Sequence, residues 1–107
     1  MTVNQLIDRL GLEVLCLCDG EREITGAYTG DLLSWVMGRA KSGDMWVTIM
    51  TNINVVAVAS LADTACVVIA ENAEVAPEVI EKAKQQNINL LRSEKTSYNI
   101  CNEQIFL

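Results

Sequence analysis

A cluster of hydroxyl side chains between two glycines is the part of the sequence best suited to hold a small ligand. The segment reads ITGAYTGD from Ile24 to Asp31, and it lies directly before a predicted helix. The free N–H groups at a helix start can bind an anion, and glycine lets a ligand approach the backbone closely. The alternative is that the glycines serve a tight turn and that Tyr28 packs in the core. The candidate ligand-binding residues in this segment are Thr25, Gly26, Tyr28, Thr29, Gly30 and Asp31.

A second polar group, Thr51, Asn52 and Asn54, follows a predicted buried strand. Open parallel sheets bind ligands beyond the carboxyl ends of their strands, so these three residues are further candidate ligand-binding residues. Thr and Asn are also common helix N-caps, and capping alone would explain them. If both polar groups bind one ligand, Thr25, Gly30 and Asn52 lie around a single cleft.

The sequence contains no group of residues arranged for catalysis. It has no histidine, which is the commonest general base and the commonest metal ligand. Asp19, Glu21 and Glu23 lie in one loop-like run that is typical of a solvated face. No nucleophile is paired with a base. We therefore expect a protein that is not an enzyme, with no metal site and no cofactor.

Four cysteines, Cys16, Cys18, Cys66 and Cys101, lack the spacing of a disulfide framework or a zinc site. Reduced thiols of a cytoplasmic protein are the simplest interpretation. Residues two apart in a strand project to the same face, so Cys16 and Cys18 could also bind a soft metal or oxidise. Core packing is the competing explanation for this pair, because free cysteine is often buried.

The charge of the chain limits its partners. The net charge is −6 in 107 residues, and the eight basic residues never form a run. Binding to nucleic acids and to anionic membranes depends on clustered Lys and Arg, so we exclude both. The apolar stretch from Trp46 to Asp63 is interrupted by Thr48, Thr51, Asn52, Asn54 and Ser60, too often for a membrane span. The N-terminus does not resemble a secretory signal, and we expect a cytoplasmic protein.

The pattern of apolar residues predicts alternating strands and helices. Thr2 and Gln5 form a capping box that opens the first helix, and Gly11 ends it. Strands are predicted at LEVLCLC, ITGAYTG, WVTIM, ACVVIA and INLLRSE. Helices are predicted at DLLSWVMGRAK, with Asp31 in its first turn and Leu32, Leu33, Val36 and Met37 on its apolar face, and at INVVAVASLAD, APEVIEKAKQQN and TSYNICNEQIF. This order predicts a single three-layer α/β domain over residues 1–107, with a mainly parallel central sheet and helices on both faces.

The helix INVVAVASLAD is apolar on every side, and a helix of this kind is buried on every side. We assign Ile53, Val56, Ala57 and Leu61 to the face that covers the sheet. The opposite face would then be an exposed apolar patch of the kind that marks an interface. This face predicts a homodimer with an interface formed by Val55, Val58, Ala59 and Ala62. Alternatively, the first helix or the C-terminal segment covers this face within one subunit.

The stretch from Ile24 to Glu71, continuing into PEVIEKAKQQNINLL, resembles the DRTGG domain family in its stand-alone form, and the resemblance runs over nearly the whole chain. Its most telling pieces are TGAYTGDLLSWVM and NVVAVASLAD. The stand-alone form is similar to the N-terminal domain of HPr kinase/phosphorylase. The resemblance implies a compact α/β domain that serves as a regulatory or ligand-sensing module. It also implies a partner enzyme, because stand-alone members are often associated with hydrogenase and redox-signalling systems.

The chain departs from the family in the turn after the predicted strand ACVVIA, and also at Thr51 and Asn52, where related chains can carry a histidine. Where the family commonly has a threonine and two glycines, this chain has Ala70, Glu71 and Asn72. Glu71 would repel an anion, which argues against a phosphate site in this turn. The phosphate loop GxxxxGK[ST] is absent, so kinase activity is not expected. We expect a non-catalytic regulatory module that binds a small metabolite or nucleotide. The alternative is an interaction or dimerisation adaptor for a partner enzyme.

Overall fold

Among residues 1–103, five strands form one sheet in the order β1-β5-β4-β3-β2. The computed structural model describes residues 1–103. The strands are β1 (Glu13–Cys16), β2 (Gly26–Thr29), β3 (Asp44–Thr48), β4 (Cys66–Ile69) and β5 (Leu90–Arg92). Strands β2 to β5 are parallel to one another, and β1 pairs with β5 in the antiparallel direction. The prediction of a mainly parallel central sheet is confirmed.

Helices cover both faces of this sheet. They are α1 (Val3–Leu10), α2 (Leu33–Arg39), α3 (Asn54–Ala62), α4 (Pro77–Gln85) and α5 (Ser97–Cys101). The core on one face includes residues of α2, α3 and α4, each of which connects two successive parallel strands. The core on the other face includes residues of α1 and α5. The predicted three-layer α/β architecture is therefore confirmed.

The central strands are buried on both sides. In β3, Met45 and Val47 belong to the core under α1 and α5, whereas Trp46 belongs to the core under α2, α3 and α4. All three side chains are fully buried. A strand that is covered on both faces can be apolar at every position, which explains the continuous apolar runs in the sequence.

Local signals at the helix ends behave as predicted. Thr2 and Gln5 form the capping box of α1, and Gly11 ends that helix with a φ of 63°. The last predicted helix is confirmed as α5, in which Thr96 accepts a hydrogen bond from the N–H of Asn99. Residues 104–107, which include the end of that predicted segment, lie outside the described residues.

The apolar stretch from Trp46 to Asp63 changes from strand to helix where its polar residues lie. Strand β3 ends at Thr48 and α3 begins at Asn54. The side chain of Asn52 accepts a hydrogen bond from the N–H of Asn54 at 2.9 Å, so it stabilises the start of the helix. Within residues 1–103, no helix combines the length and the apolar character that crossing a bilayer requires.

Most residues of α3 lie on the opposite side from the one predicted, whereas Val56 is buried as predicted. Val55, Val58 and Ala59 are buried against the sheet, and Ala62 is half-buried. In contrast, Ile53 and Leu61 are 47% and 72% exposed. The periodicity could not distinguish the faces because apolar residues occupy both of them. Residues buried in the core of one subunit cannot form the predicted interface, whereas the homodimer itself stays a prediction.

Helix α2 also differs from its prediction. It begins at Leu33 with Leu32 at the N-cap position, so Asp31 precedes the helix and does not lie in its first turn. Among the predicted core positions of α2, Val36 is fully buried, whereas Leu32 and Met37 are 60% and 49% exposed. The outer surface of α2 therefore carries large apolar side chains that are exposed.

Candidate functional site

The predicted ligand-binding residues lie at two opposite ends of the sheet. Thr25 precedes β2 and bonds to Gly43 before β3, whereas Gly30 follows β2 and bonds to Val47 near the end of β3. Asn52 lies beyond the carboxyl end of β3. The four residues of β2 separate the two ends by roughly 13 Å. The prediction that Thr25, Gly30 and Asn52 surround one cleft is therefore wrong, because the segment ITGAYTGD contains a full strand.

Asp31 connects the carboxyl ends of β2 and β3. Its Oδ1 atom accepts hydrogen bonds from the hydroxyl of Thr48 at 2.8 Å and from the N–H of Ile49 at 2.9 Å. Beside it, the indole N–H of Trp46 donates to the carbonyl of Gly30 at 3.0 Å. These bonds give Asp31 and Gly30 a structural role at this end of the sheet.

The predicted polar group after β3 lies at the same end as Gly30 and Asp31. The amide oxygen of Asn52 is engaged with the N–H of Asn54, and the side chain of Asn54 points away from the core because that residue is exposed. Thr51 is half-buried. Helix capping accounts for Asn52, as the alternative interpretation of the sequence proposed.

The other end of β2 borders an open cleft of about 420 Å³. Three of the predicted residues, Thr25, Gly26 and Tyr28, lie on its wall. The structure adds residues from β2 itself, from the end of α2, from the turn that follows it and from the start of β3. The added residues are Ala27, Arg39, Lys41, Ser42 and Asp44.

Two cations dominate this cleft, which we call the β2 cleft. Among residues 1–103, neither Arg39 nor Lys41 forms an ion pair with a carboxylate. The guanidinium of Arg39 lies over the ring of Trp35, 3.7 Å from its centroid. Such a cation–π contact restricts the side chain while its N–H groups stay available. The β2 cleft therefore offers a positioned guanidinium and an ammonium group.

A buried carboxylate lies beside the two cations. Asp44 is 7% exposed, and its Oδ2 atom accepts a hydrogen bond from the backbone N–H of Lys41 at 2.8 Å. Gly26 packs directly against it, since a Cβ atom on residue 26 would lie 2.7 Å from Asp44 Oδ1. This close approach explains the glycine at position 26 without a ligand.

Tyr28 and Gly30 also have packing roles. Tyr28 is half-buried and packs against the core under α2, α3 and α4. A Cβ atom on Gly30 would lie 3.0 Å from the Tyr28 ring, and the φ of Gly30 is not positive. Thr29 is exposed on β2, which is an edge strand of the sheet, and it does not line the β2 cleft.

A small polar network borders the β2 cleft. The hydroxyl of Ser42 donates a hydrogen bond to Asp63, and the guanidinium of Arg22 forms an ion pair with the same carboxylate at 3.1 Å. These two contacts, with the Ser42 hydrogen bond contributing most, hold the pKa of Asp63 below its usual value. Asp63 occupies the left-handed conformation that ends α3, with a φ of 57°.

Sequence reasoning missed Arg39 and Lys41 as site residues. At the C-terminal end of a predicted helix, the helix dipole alone explains the presence of cations. A helix that connects two parallel strands starts near the carboxyl end of the first strand and ends near the start of the second. The end of α2 therefore lies beside Thr25 and Gly26, and the βαβ order of the sequence contained this signal.

Comparison with known families identifies the domain. The family model described as the HPr Serine kinase N terminus matches residues 53–106, just over half of the chain. The chain belongs to this family. The predicted resemblance to the DRTGG family and to the N-terminal domain of HPr kinase is confirmed. No curated protein matches the sequence significantly.

A solved structure shares the fold of this HPr kinase N-terminal-like domain. It is the crystal structure of the CBS and DRTGG domains of the regulatory region of Clostridium perfringens pyrophosphatase, complexed with its activator, diadenosine tetraphosphate. The TM-score is 0.72 at 14% sequence identity. The match covers 94% of this chain and 44% of that chain, so the domain spans less than half of the other structure.

The turn after β4 has a backbone conformation that favours glycine. Glu71 and Asn72 are both left-handed, with φ values of 58° and 53°. Their N–H groups donate to the carbonyls of Lys95 and Ser93, each at 2.8 Å. Because both N–H groups are engaged, this turn does not present them to an anion. The structure thus agrees with the sequence argument against a phosphate site here.

A second cleft, of about 310 Å³, lies where β1 begins and β5 ends. Its two cations are engaged in ion pairs. Arg92 binds both carboxylate oxygens of Glu13 at 2.9 and 3.0 Å, and Lys95 lies 2.7 Å from Glu103. The β2 cleft is therefore the better candidate for an anionic ligand. Within the described part of the chain, no three Cys, Asp or Glu side chains are grouped to hold a metal ion.

Proposed function

We propose that this HPr kinase N-terminal-like domain is a regulatory module that binds a small anionic ligand in the β2 cleft. The observation that carries the proposal is the convergence of Arg39 and Lys41, free of ion pairs within residues 1–103, in a chain with a net charge of −6. Most of the surface of such a chain repels anions, so a local pair of cations is the natural place for one to bind.

The groups in the β2 cleft favour a ligand with both phosphate and hydroxyl groups. A guanidinium binds two oxygens of a phosphate or carboxylate at once, and an ammonium adds a second positive charge. The carboxylate of Asp44 can accept a hydrogen bond from a sugar hydroxyl, and the hydroxyl of Thr25 lies on the same wall. Nucleotides and sugar phosphates carry this combination of groups.

The solved relative supports the same ligand class. It is a regulatory region whose activator, diadenosine tetraphosphate, is a nucleotide. We propose that the present domain likewise acts by binding and not by catalysis, and that it controls a partner enzyme. The absence of histidine from the whole sequence supports a non-catalytic role.

A thermal-shift screen tests the proposal. The panel includes inorganic phosphate, ATP, diadenosine tetraphosphate and sugar phosphates. A ligand present at a hundredfold excess over its dissociation constant stabilises the folded state by about 2.7 kcal/mol. We expect at least one phosphorylated compound to raise the melting temperature by about 10 °C under this condition. The shift should shrink as the ionic strength rises.

A matched pair of double variants locates the site. Arg39→Gln with Lys41→Gln removes the two cations of the β2 cleft, and we expect at least about tenfold weaker binding. Arg9→Gln with Lys84→Gln makes the same change in net charge at exposed helical positions elsewhere, and binding should persist. Equal losses in the two proteins would contradict a site in the β2 cleft. The absence of any shift across the panel would contradict ligand binding.

We also propose a second candidate function, a dimerisation adaptor, because the outer surface of α3 is apolar. Ile53, Ala57 and Leu61 are exposed and lie four residues apart, so they form one stripe along the helix. The partner we propose is a second copy of the chain. The stripe has large residues at its ends and a small one at its centre, which suits antiparallel packing about a two-fold axis. The helix carries no charge, so two copies of this anionic protein do not repel each other there.

Light scattering at micromolar concentration tests the dimer. We expect the unmodified chain to be a dimer and Leu61→Lys to be a monomer. Tyr98→Lys is the control, since Tyr98 is equally exposed, at 73%, on a helix of the opposite layer. A monomeric unmodified chain would contradict the dimer. A dimer that persists in Leu61→Lys would place the interface elsewhere.

A further inference from the structure

The thiols of Cys16 and Cys18 are in contact. Their Sγ atoms lie 3.5 Å apart at the end of β1. Cys16 is 4% exposed and packs in the core under α2, α3 and α4, whereas Cys18 is exposed in the bend that follows. The sequence alone left core packing and oxidation open for this pair. The contact between one buried and one exposed thiol is an arrangement that packing alone does not require.

We propose that Cys16 and Cys18 form a reversible disulfide and thereby make the end of β1 a redox-sensitive site. Two residues that are two apart in extended chain have Cα atoms about 6.6 Å apart, within the range found for disulfides. The two sulfur atoms need to approach by roughly 1.5 Å to reach the S–S bond length. A change in the two side-chain torsions and a small movement of the bend can supply this approach. The inference does not depend on ligand binding in the β2 cleft.

The exposure of the thiols sets the order of the reaction with a low-molecular-weight disulfide. The Cys18 thiolate attacks one sulfur of that disulfide, forms a mixed disulfide and releases one thiolate, which takes up the proton that Cys18 lost. The sulfur of Cys16 then attacks Cys18, and the second small thiol leaves with the proton of Cys16. The two cysteines are oxidised, and the small disulfide is reduced to two thiols.

The surroundings of Cys16 agree with its place as the second thiol to react. Burial, together with the contact with Cys18, raises the pKa of Cys16 to about 11, so it remains protonated at neutral pH. A protonated and buried thiol is a poor target for an oxidant in solution. It becomes reactive when the neighbouring sulfur carries a leaving group.

Asn89 connects this pair to the sheet. Its Oδ1 atom accepts hydrogen bonds from the N–H groups of Cys18 and Asp19 at 2.8 and 2.9 Å. Its Nδ2 atom donates to the carbonyl of Ala65 at 3.0 Å, next to the start of β4. Movement of Cys18 toward Cys16 would lengthen or break the hydrogen bonds between Asn89 and this bend. A disulfide that competes with them stores strain, and strained disulfides are the readily reduced ones.

The two remaining cysteines do not compete for this reaction. Cys66 is fully buried in the sheet, and burial raises its pKa to about 12. Cys101 is exposed on α5, whose buried residue Ile100 belongs to the core on the opposite face from Cys16. The sheet therefore separates Cys101 from the pair.

Redox equilibration with glutathione tests the proposal on the folded, full-length chain. The protein is incubated with mixtures of reduced and oxidised glutathione, alkylated and digested with trypsin. Trypsin cleaves after Arg9 and Arg22, so Cys16 and Cys18 lie in one peptide that contains neither Cys66 nor Cys101. We expect this peptide to lose two hydrogens as oxidised glutathione increases, and to recover them when reduced glutathione is restored.

Two variants identify the order of reaction. In Cys16→Ser, the reaction should stop at a mixed disulfide between glutathione and Cys18. In Cys18→Ser, the buried Cys16 should remain an alkylatable thiol after unfolding. A wild-type peptide that stays fully alkylated, or that stops at the mixed disulfide at every glutathione ratio, would overturn the proposal. Because this outcome is read in the wild-type chain, it decides the matter even if Cys16→Ser fails to fold.

Discussion

The carboxylate of Asp31 accepts a hydrogen bond of 2.8 Å from the fully buried hydroxyl of Thr48, and so ties the end of β2 to the end of β3. The same oxygen accepts the N–H of Ile49. Replacement of Asp31 by Ala leaves two donors without their partner, and we expect a loss of about 1–3 kcal/mol in the free energy of unfolding. Urea denaturation measures this loss.

One further variant separates the hydrogen bonds of Asp31 from its charge, and another is a control for the loss of a surface carboxylate. Asp31→Asn keeps an acceptor oxygen and should lose less stability than Asp31→Ala. Asp8→Ala removes an exposed carboxylate from α1, and its effect should stay within about 0.5 kcal/mol. If Asp31→Ala were as mild as Asp8→Ala, the link between the two strands would contribute little to stability.

The left-handed conformation of Glu71 gives a second prediction. This conformation costs a residue with a Cβ atom roughly 1–2 kcal/mol, whereas glycine adopts it freely. We expect Glu71→Gly to be about 1 kcal/mol more stable than Glu71→Ala, because only alanine has a Cβ atom in the left-handed conformation. Both variants lack the Glu side chain, so its other contacts do not affect the comparison. The midpoint of denaturation in urea measures the difference.

The control for Glu71 is Glu74, which is exposed in the same loop and does not have a positive φ. Glycine at position 74 should be less stable than alanine, because it only increases the entropy of the unfolded chain. The same order of stability at both positions would mean that strain at Glu71 is negligible.

The elements of this fold were predictable where local chemistry decides them. The capping box of Thr2 and Gln5 and the polar residues before Asn54 both correspond to helix starts in the structure. The continuous apolar runs around Trp46 and Val67 correspond to strands that are buried on both faces. The interactions that decide the helix starts lie within a few residues of one another, and the continuous apolar character of the strands is itself visible in the sequence.

The orientation of α3 about its own axis was not predictable, because neighbouring helices decide which side of it packs against the sheet. Val58 and Leu61 are both apolar residues of α3, yet one is 4% exposed and the other 72%. Helices α2 and α4, which flank α3, determine which side turns inward, and the sequence of α3 holds no polar stripe to indicate it. The β2 cleft was not predicted for a related reason. Arg39 and Thr25 lie on the same cleft only because α2 runs back along the sheet between β2 and β3.

The small polar network of Arg22, Ser42 and Asp63 beside the β2 cleft predicts a dependence of stability on pH. The hydrogen bond from Ser42 and the ion pair with Arg22 lower the pKa of Asp63 below its usual 3.8. A group with a lowered pKa in the folded state stabilises the fold above its unfolded pKa, and this contribution is lost as the pH falls through the folded pKa. Because Asp63 is 61% exposed, we expect the contribution to be below about 1 kcal/mol.

Comparison with Asp63→Asn isolates this contribution. Asparagine tolerates the left-handed conformation, so the substitution removes the charge without adding backbone strain. The difference in unfolding free energy between the two proteins should be largest at neutral pH and should shrink as the pH falls below 3.8 and through the lowered pKa of Asp63. A difference that stays constant or grows in acid would show that the charge of Asp63 does not stabilise the fold.

The contact between Arg39 and Trp35 predicts an optical signal for ligand binding. Trp35 is 53% exposed under the guanidinium, whereas Trp46, the other tryptophan, is fully buried. A phosphate that binds Arg39 changes the electric field at the Trp35 ring. We therefore expect its fluorescence to change during titration with a phosphorylated compound that shifts the melting temperature.

Trp35→Leu tests both the signal and the role of the stacking. The fluorescence change should vanish, because Trp46 is remote from solvent and its indole N–H is engaged with Gly30. The loss of a cation–π contact of about 0.5–1 kcal/mol should also weaken binding roughly two- to fivefold, as measured by thermal shift. Arg39→Lys keeps the charge but loses the planar group, so it should weaken binding while its Trp35 fluorescence still responds. A Trp35→Leu protein with unchanged affinity would show that Arg39 binds its ligand without the support of the ring.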